Sequence, residues 1–313
     1  MMVLLQFYLK NNLQKKVKNI EKKICLIGAG KVGSILYHSL KKSGYRFEYL
    51  VDIHLKTLKE ITAKDKNVKL KNNISKEVLN NSDVIIFAVH DKSLNKVIDE
   101  CAKLKMNLND KIVFHTSGIE TSDVFKILNV NKLNTGSYHP LQTFNTISYN
   151  NNRLLNDIYF GIEGGTEAVK YFKELCKSFK SKFIIIPKNK KVLYHSACVI
   201  ASNFLVSHFN ILSKITKSIS AGGIEGIEIF KPIVMKTLEN IFTNGIEKSL
   251  TGPFERGDID TIDLHLKYFK ENLPSKLYYY ILLGLEAMNL SKKKKSITGK
   301  EAKEIEKLLI NNV

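Results

Sequence analysis

Arginine is scarce in this sequence. Of the 49 basic residues among 313, only Arg46, Arg153 and Arg256 are arginine. The formal net charge of +19 is therefore a lysine surplus, spread over expected helix faces and loops. A nucleic-acid footprint would be a stripe carrying arginine and exposed aromatics, so no specific nucleic-acid partner is expected. Lysine, asparagine and isoleucine are abundant throughout, as an AT-rich coding bias would produce.

Paired cysteines are absent too. Cys25, Cys101, Cys176 and Cys198 form no CxxC motif. That argues against a structural zinc site or a disulfide frame and for a reducing, cytoplasmic setting, and no metal ligands are assigned. No apolar run approaches the ~18–20 residues of a membrane span, so no membrane partner is expected. The apolar patch over residues 1–9 is short, precedes its basic residues and lacks a small-residue cleavage site, unlike a secretory signal. No internal repeat is present. Hydrophobic content of 44% and a mean hydropathy of −0.12 are those of a soluble globular chain, long enough for two domains with separate cores.

What is present is organised around one stretch. Ile24-Cys25-Leu26-Ile27 reads as a buried parallel strand, and helical spacing begins at Ser34. Between them, Gly28-Ala29-Gly30-Lys31-Val32-Gly33 has the glycine spacing of a dinucleotide site. The first glycine allows the tight turn, the second lets backbone approach a pyrophosphate, and the third lets helix pack on strand. The diphosphate would sit on the free N–H groups at the start of that helix. A second strand, residues 47–51, ends at Asp52, near the ~20-residue offset of a ribose-binding acid. Ala88 and Val89, closing a strand over residues 83–89, complete the expected cofactor contacts.

Strand and helix patterns then alternate to about residue 187. Further strands are expected over 111–114, 134–138, 158–162 and 183–186, and helices over 55–63, 93–104, 121–128 and 166–179. Such alternation implies an α/β fold with a doubly wound, Rossmann-type parallel sheet. Pro187 and the lysines after it mark the expected domain border. Beyond it the pattern is helical only, over 192–217, 224–243, 260–269 and 275–290, with Lys292 to Lys295 as a solvated loop and a last helix ending near Ile310. The organisation is an extension over 1–21, a dinucleotide-binding domain over 22–187 and an all-helical substrate or dimerisation domain over 188–313.

In open α/β sheets, ligands bind outside the carboxyl ends of the strands. Those ends carry His90, His115-Thr116-Ser117-Gly118 and His139-Pro140, so His115, Ser117 and His139 are candidate substrate-binding residues. In the first helix of the second domain, Ser202 and Asn203 follow His195 by two helical turns and share its face. An imidazole and an amide there would donate a proton and hold a carbonyl or carboxylate oxygen, or else form a polar seam between domains. Thr251 and Arg256 stand in a turn shaped by Gly252, Pro253 and Gly257. Arg256 offers a fork for a carboxylate, or pairs with Asp258.

These motifs occur together in one order: the glycine-rich turn, His115 to Gly118, His139 to Phe144, Tyr194 to Ala197 with Ala201 to Asn203, and Leu250 to Pro253 with Arg256 to Asp258. Over about residues 22–290 they resemble a bacterial Rossmann-like family whose C-terminal helical domain bears only a domain-of-unknown-function label. That family is similar in architecture to pyrroline-5-carboxylate reductase, ketopantoate reductase and 6-phosphogluconate dehydrogenase. The resemblance implies a C-terminal domain of the 6-phosphogluconate dehydrogenase kind that completes the active site and forms a homodimer. It also implies NADPH as cofactor, whereas Asp52 favours NADH, and His54 and Lys56 offer a 2′-phosphate some compensation. Ketopantoate reductases carry a catalytic lysine on the first helix of the second domain, followed by an asparagine. Here the resemblance puts His195 and Asn203 in those places as catalytic residues, and Lys191, lying in the expected border, is set aside.

The expectation is an NAD(P)H-dependent reductase of a small 2-oxo or imino carboxylic acid. Ketopantoate is the first substrate and pyrroline-5-carboxylate the second. The alternative is a protein that senses NAD(P) without chemistry.

Overall fold

The computed structural model describes residues 21–63, 65–147, 154–219 and 227–313. Nearly all of the expected N-terminal extension, Arg153 and the start of the helical stretch expected from residue 224 lie outside them. The described chain forms two compact units, one ending at Asn203 and one running from Phe204 to Val313.

The first unit is built on an eight-stranded sheet in the order β3-β2-β1-β4-β5-β6-β7-β8. Its strands are β1 (Lys23–Ile27), β2 (Arg46–Val51), β3 (Lys69–Lys71), β4 (Val84–Phe87), β5 (Ile112–His115), β6 (Thr135–Leu141), β7 (Tyr159–Gly164) and β8 (Lys182–Ile185). β1 pairs in parallel with both β2 and β4, so the chain leaves β1 in one direction along the sheet and later resumes on its other side. The crevice at that reversal is where such sheets bind ligands. β6 and β7 pair antiparallel, the single reversal in an otherwise parallel ladder.

Alternation along β1 shows why the strands read as continuous apolar runs. Ile24 and Leu26 join one core with α1 (Lys31–Lys42) and α5 (Thr166–Ser178), whereas Cys25 and Ile27 join another with α3 (Lys76–Asn80) and α4 (Asp91–Lys103). Both faces of the sheet are covered, so both side-chain sets must be apolar. β3 and α3 escape the sequence pattern because a three-residue edge strand with lysines around Leu70 has no periodicity to read. The helix expected over 121–128 is a 3-10 turn, Ser122–Ile127. α2 spans Leu55–Ile61.

Helix α6 (Lys191–Val199) runs through a π-helical turn, Ile200–Phe204, into α7 (Leu205–Ile219). The division between units falls inside that turn rather than at Pro187. The physical reason is that Lys191 and Tyr194 of α6 are bonded to the loop after β5 and to strand β6 of the first unit. A π-turn accommodates one extra residue, which brings Asn203 rather than Ser202 toward line with His195. The continuous helix Lys188–Lys217 is, by length and composition, apolar enough to cross a membrane, with a window averaging 1.3 in hydropathy. That differs from the sequence reading, in which no apolar run approaches the length of a membrane span.

The second unit contains α7, α8 (Lys231–Asn244), α9 (Ile246–Ser249), α10 (Pro253–Arg256), α11 (Ile259–Asn272), α12 (Pro274–Lys294) and α13 (Gly299–Ile310) among its described residues. Ile262, Leu266, Ile281, Ile305 and Leu309 form its core. Lys292 to Lys294 are the last turn of α12, not a loop, and their charges complement the helix dipole there. Thr298 and Glu301 close a capping box at the start of α13.

Candidate active site

The turn from β1 into α1 is held by contacts that leave no space for a side chain. Gly28 has φ +95°, and a Cβ on it would lie 2.7 Å from the Ala88 carbonyl group at the end of β4. A Cβ on Gly33 would overlap the Gly28 oxygen. Gly30, by contrast, faces open space on that side. It precedes α1 without a side-chain cap, so the first-turn N–H groups at Lys31, Val32 and Gly33 are left for an anion. A cavity of about 390 Å³ opens here, lined by Gly28, Gly30, Asp52, His54, Ala88 and Val89 among others. The Asp52 carboxylate accepts the Ala29 N–H at 2.8 Å through one oxygen and the His54 N–H at 2.9 Å through the other. Its orientation is therefore fixed from both sides, and each oxygen keeps a lone pair directed elsewhere. An open glycine, an uncapped helix start and a fixed carboxylate fit the pyrophosphate and ribose of a dinucleotide.

A second group of polar residues surrounds Gly118. His115 is fully buried at the end of β5. Its Nδ1 accepts the Ser117 N–H at 3.1 Å, so its Nε2 carries the proton and donates to the Thr121 carbonyl, also at 3.1 Å. Burial pushes its pKa down to about 3, and the neutral ring shapes the loop that follows. Ser117 Oγ accepts the N–H groups of Ile119 and Glu120. A Cβ on Gly118 would meet His195 Cδ2 at 2.9 Å and His139 Nε2 at 3.0 Å, so both imidazoles press on this glycine. His139 Nδ1 is bonded to the Tyr194 hydroxyl at 2.8 Å. Burial, then the nearby Lys191 and His195, push His139 down to about 4.

Sequence reasoning underrated Lys191. Its side chain is 1% exposed. Its Nζ donates to the Ser117 carbonyl at 3.1 Å and to Ser137 Oγ at 2.8 Å, while Ser137 Oγ donates to the same carbonyl. Burial lowers its pKa to about 8. The available signal was its position one helical turn before His195, which proximity to Pro187 obscured.

The structure thus brings His115, Ser117, His139 and His195 together, and separately gathers Gly28 to Gly33, Asp52, Ala88 and Val89. Asn203 stands in the π-turn, two turns along the helix from His195. Thr251 and Arg256 belong to the second unit. There Arg256 is largely exposed and 3.8 Å from Asp258, whose carboxylate caps α11 through Thr261.

Comparisons with known proteins make the chain an NAD(P)-dependent oxidoreductase, and the fold and the nucleotide cradle agree. Residues 23–117 match the family described as NADP oxidoreductase, coenzyme F420-dependent. Residues 158–286 match a domain of unknown function, DUF2520. The chain therefore joins an oxidoreductase Rossmann domain to a DUF2520 domain. No curated protein is similar in sequence. Among solved structures, protein TM1727 from Thermotoga maritima has a TM-score of 0.67 at 24% identity, over 87% of this chain and 99% of that one. A candidate NADP oxidoreductase from Bacteroides fragilis has 0.66 at 20% identity, over 86% and 98%. Plasmodium falciparum pyrroline carboxylate reductase, with NADP bound, has 0.54 at 12% identity, over 88% and 98%. At these identities the likeness is one of fold.

Two outcomes follow from the geometry. Gly33→Ala should cost about 1–3 kcal/mol in chemical denaturation, as overpacking does, and weaken cofactor binding with it. His139 and His115 have folded pKa values of about 4 and about 3, below the ordinary 6.5. The unfolded chain therefore takes up protons first as pH falls, and stability is lost from about pH 6.5 downward. Melting scans across that window should show the loss, and His139→Asn should reduce its slope; equal slopes would contradict the assignment.

Proposed function

We propose that the protein reduces the C=O or C=N bond of a small carboxylic acid, ketopantoate first and pyrroline-5-carboxylate second, with NADH as preferred donor. The observation that carries the reading is the group of three imidazoles and one ammonium around Gly118, on the same strand-end side of the sheet as the cradle. The cofactor supplies a hydride from its reduced nicotinamide. His195 gives the proton that the substrate oxygen or nitrogen needs as the hydride reaches carbon, and Asn203 orients the polar end of the substrate. His139, neutral and held by Tyr194, lines the site. Asp52 supports NADH because its fixed oxygens accept from ribose hydroxyls and repel a 2′-phosphate. A homodimer in the cytoplasm, the helical unit supplying the contact, is part of this proposal.

Loss of the near-ultraviolet absorbance of NADH on adding ketopantoate, or the cyclic imine, tests it directly. No loss with either acid and either cofactor would overturn it. His195→Ala should lower turnover by about 10²–10⁴ with cofactor affinity unchanged; turnover near wild type would remove His195 from the role. Asp52→Ser should bring the affinities for NADH and NADPH together, where wild type prefers NADH by about tenfold or more, a difference of about 1.4 kcal/mol. Equal affinities in wild type would contradict the role given to Asp52.

A further inference from the structure

Lys191 poses a problem of charge. Its ammonium is buried, its two acceptors are neutral, and among the described residues it makes no salt bridge. The acids that face it do so from a distance: Glu163 on β7, Asp91 at the start of α4, and Glu120 after β5. Glu163 already accepts from the Ser122 N–H at 2.7 Å and the Ser122 hydroxyl at 2.8 Å. The other titratable groups around it are His115 on β5, His139 on β6, and Tyr194, His195 and Cys198 on α6. His139 is itself pushed down by Lys191 and His195. A buried charge without a counter-charge is costly, and a protein that keeps one has a use for it.

The ammonium holds the Ser117 carbonyl, and His139 and His195 press on the adjacent Gly118 so closely that a Cβ there would meet both rings. We propose that Lys191 is the buried positive charge that selects a carboxylate-bearing substrate, with the anion bound against the His139 and His195 imidazoles. Lys191 is a positioning residue in this arrangement. It sets the potential and, through the Ser117 carbonyl, fixes the loop, while the two imidazoles make the contact. The inference rests on the reductase reading and adds to it where the acid group binds, in the first unit rather than at Arg256.

Lys191 loses its proton near pH 8, with burial as the main cause. Affinity for a carboxylate should therefore be full below that value and fall above it, whereas affinity for a neutral analogue should not change. The probes are pyruvate and 3,3-dimethyl-2-oxobutanoate against their methyl esters, titrated calorimetrically into the full-length protein saturated with NADH. Near neutral pH the acids should bind about tenfold more tightly than the esters, as a charge-assisted contact would give, and the preference should shrink through pH 8. Lys191→Met should abolish the preference and leave NADH affinity intact. Lys191→Arg should keep the preference and extend it to higher pH. The wild-type pH profile and the arginine variant decide the matter even where the methionine variant folds poorly.

The proposal is overturned by failure of either acid to bind, by a preference flat across pH 8, or by a preference surviving in Lys191→Met. It also falls if Arg256→Gln, rather than Lys191→Met, removes the preference. Hydride transfer to carbonyls or imines without any acid preference would sink this inference and spare the reductase reading. An acid preference without hydride transfer to any carbonyl or imine would do the reverse.

Discussion

Gly33 rests on the carbonyl of Gly28, and Gly28 rests on the backbone of Ala88, at distances that no side chain could share. This three-way contact joins the start of α1, the end of β1 and the end of β4, and the rest of the first unit depends on it. It sets the depth at which α1 meets the sheet, so the helix N-terminus opens over the strand ends. It also carries Ala29 to where its N–H reaches Asp52, tying the turn to β2 across 23 residues of sequence. The same backbone approach that lets the helix lie close therefore also fixes the Asp52 carboxylate.

Beyond the cradle, the polar interior is arranged by burial more than by pairing. His115 and His139 are kept neutral because their rings are removed from water, and their hydrogen bonds then determine what each can do. His115 has both nitrogens committed to its own loop, so its ring shapes that loop. His139 commits one nitrogen to Tyr194 and turns the other toward Gly118. Lys191 lies beneath them, bonded to neutral oxygens. The site has surplus positive charge, which suits an anionic substrate better than a neutral one.

Much of this was legible in the sequence because the decisive features are local. A glycine can be recognised by spacing when its neighbours are a strand and a helix, and Asp52 follows at the offset that geometry requires. Apolar strands between helices declared the doubly wound sheet. The short edge strand β3 and the helix α3 were hidden because so few residues carry no period. The antiparallel turn of β7 was hidden because orientation leaves no mark on a buried strand. Lys191 was set aside for a related reason: a lysine that closely follows a proline and two more lysines reads as a domain border. Only the tertiary bonds to Ser117 and Ser137 reveal that it is interior. The same bonds place α6 with the first unit and move the division to the π-turn, a feature no helical periodicity announces.

The central claim is that one dinucleotide lies across the cradle with its reactive end beside Gly118. A crystal structure of the protein with NADH tests it most directly. The account predicts the pyrophosphate on the N–H groups at the start of α1, the adenosine ribose on the Asp52 carboxylate, and the nicotinamide ring within reach of His139 and His195. A nicotinamide directed away from Gly118, or a nucleotide bound outside the glycine-rich turn, would contradict it.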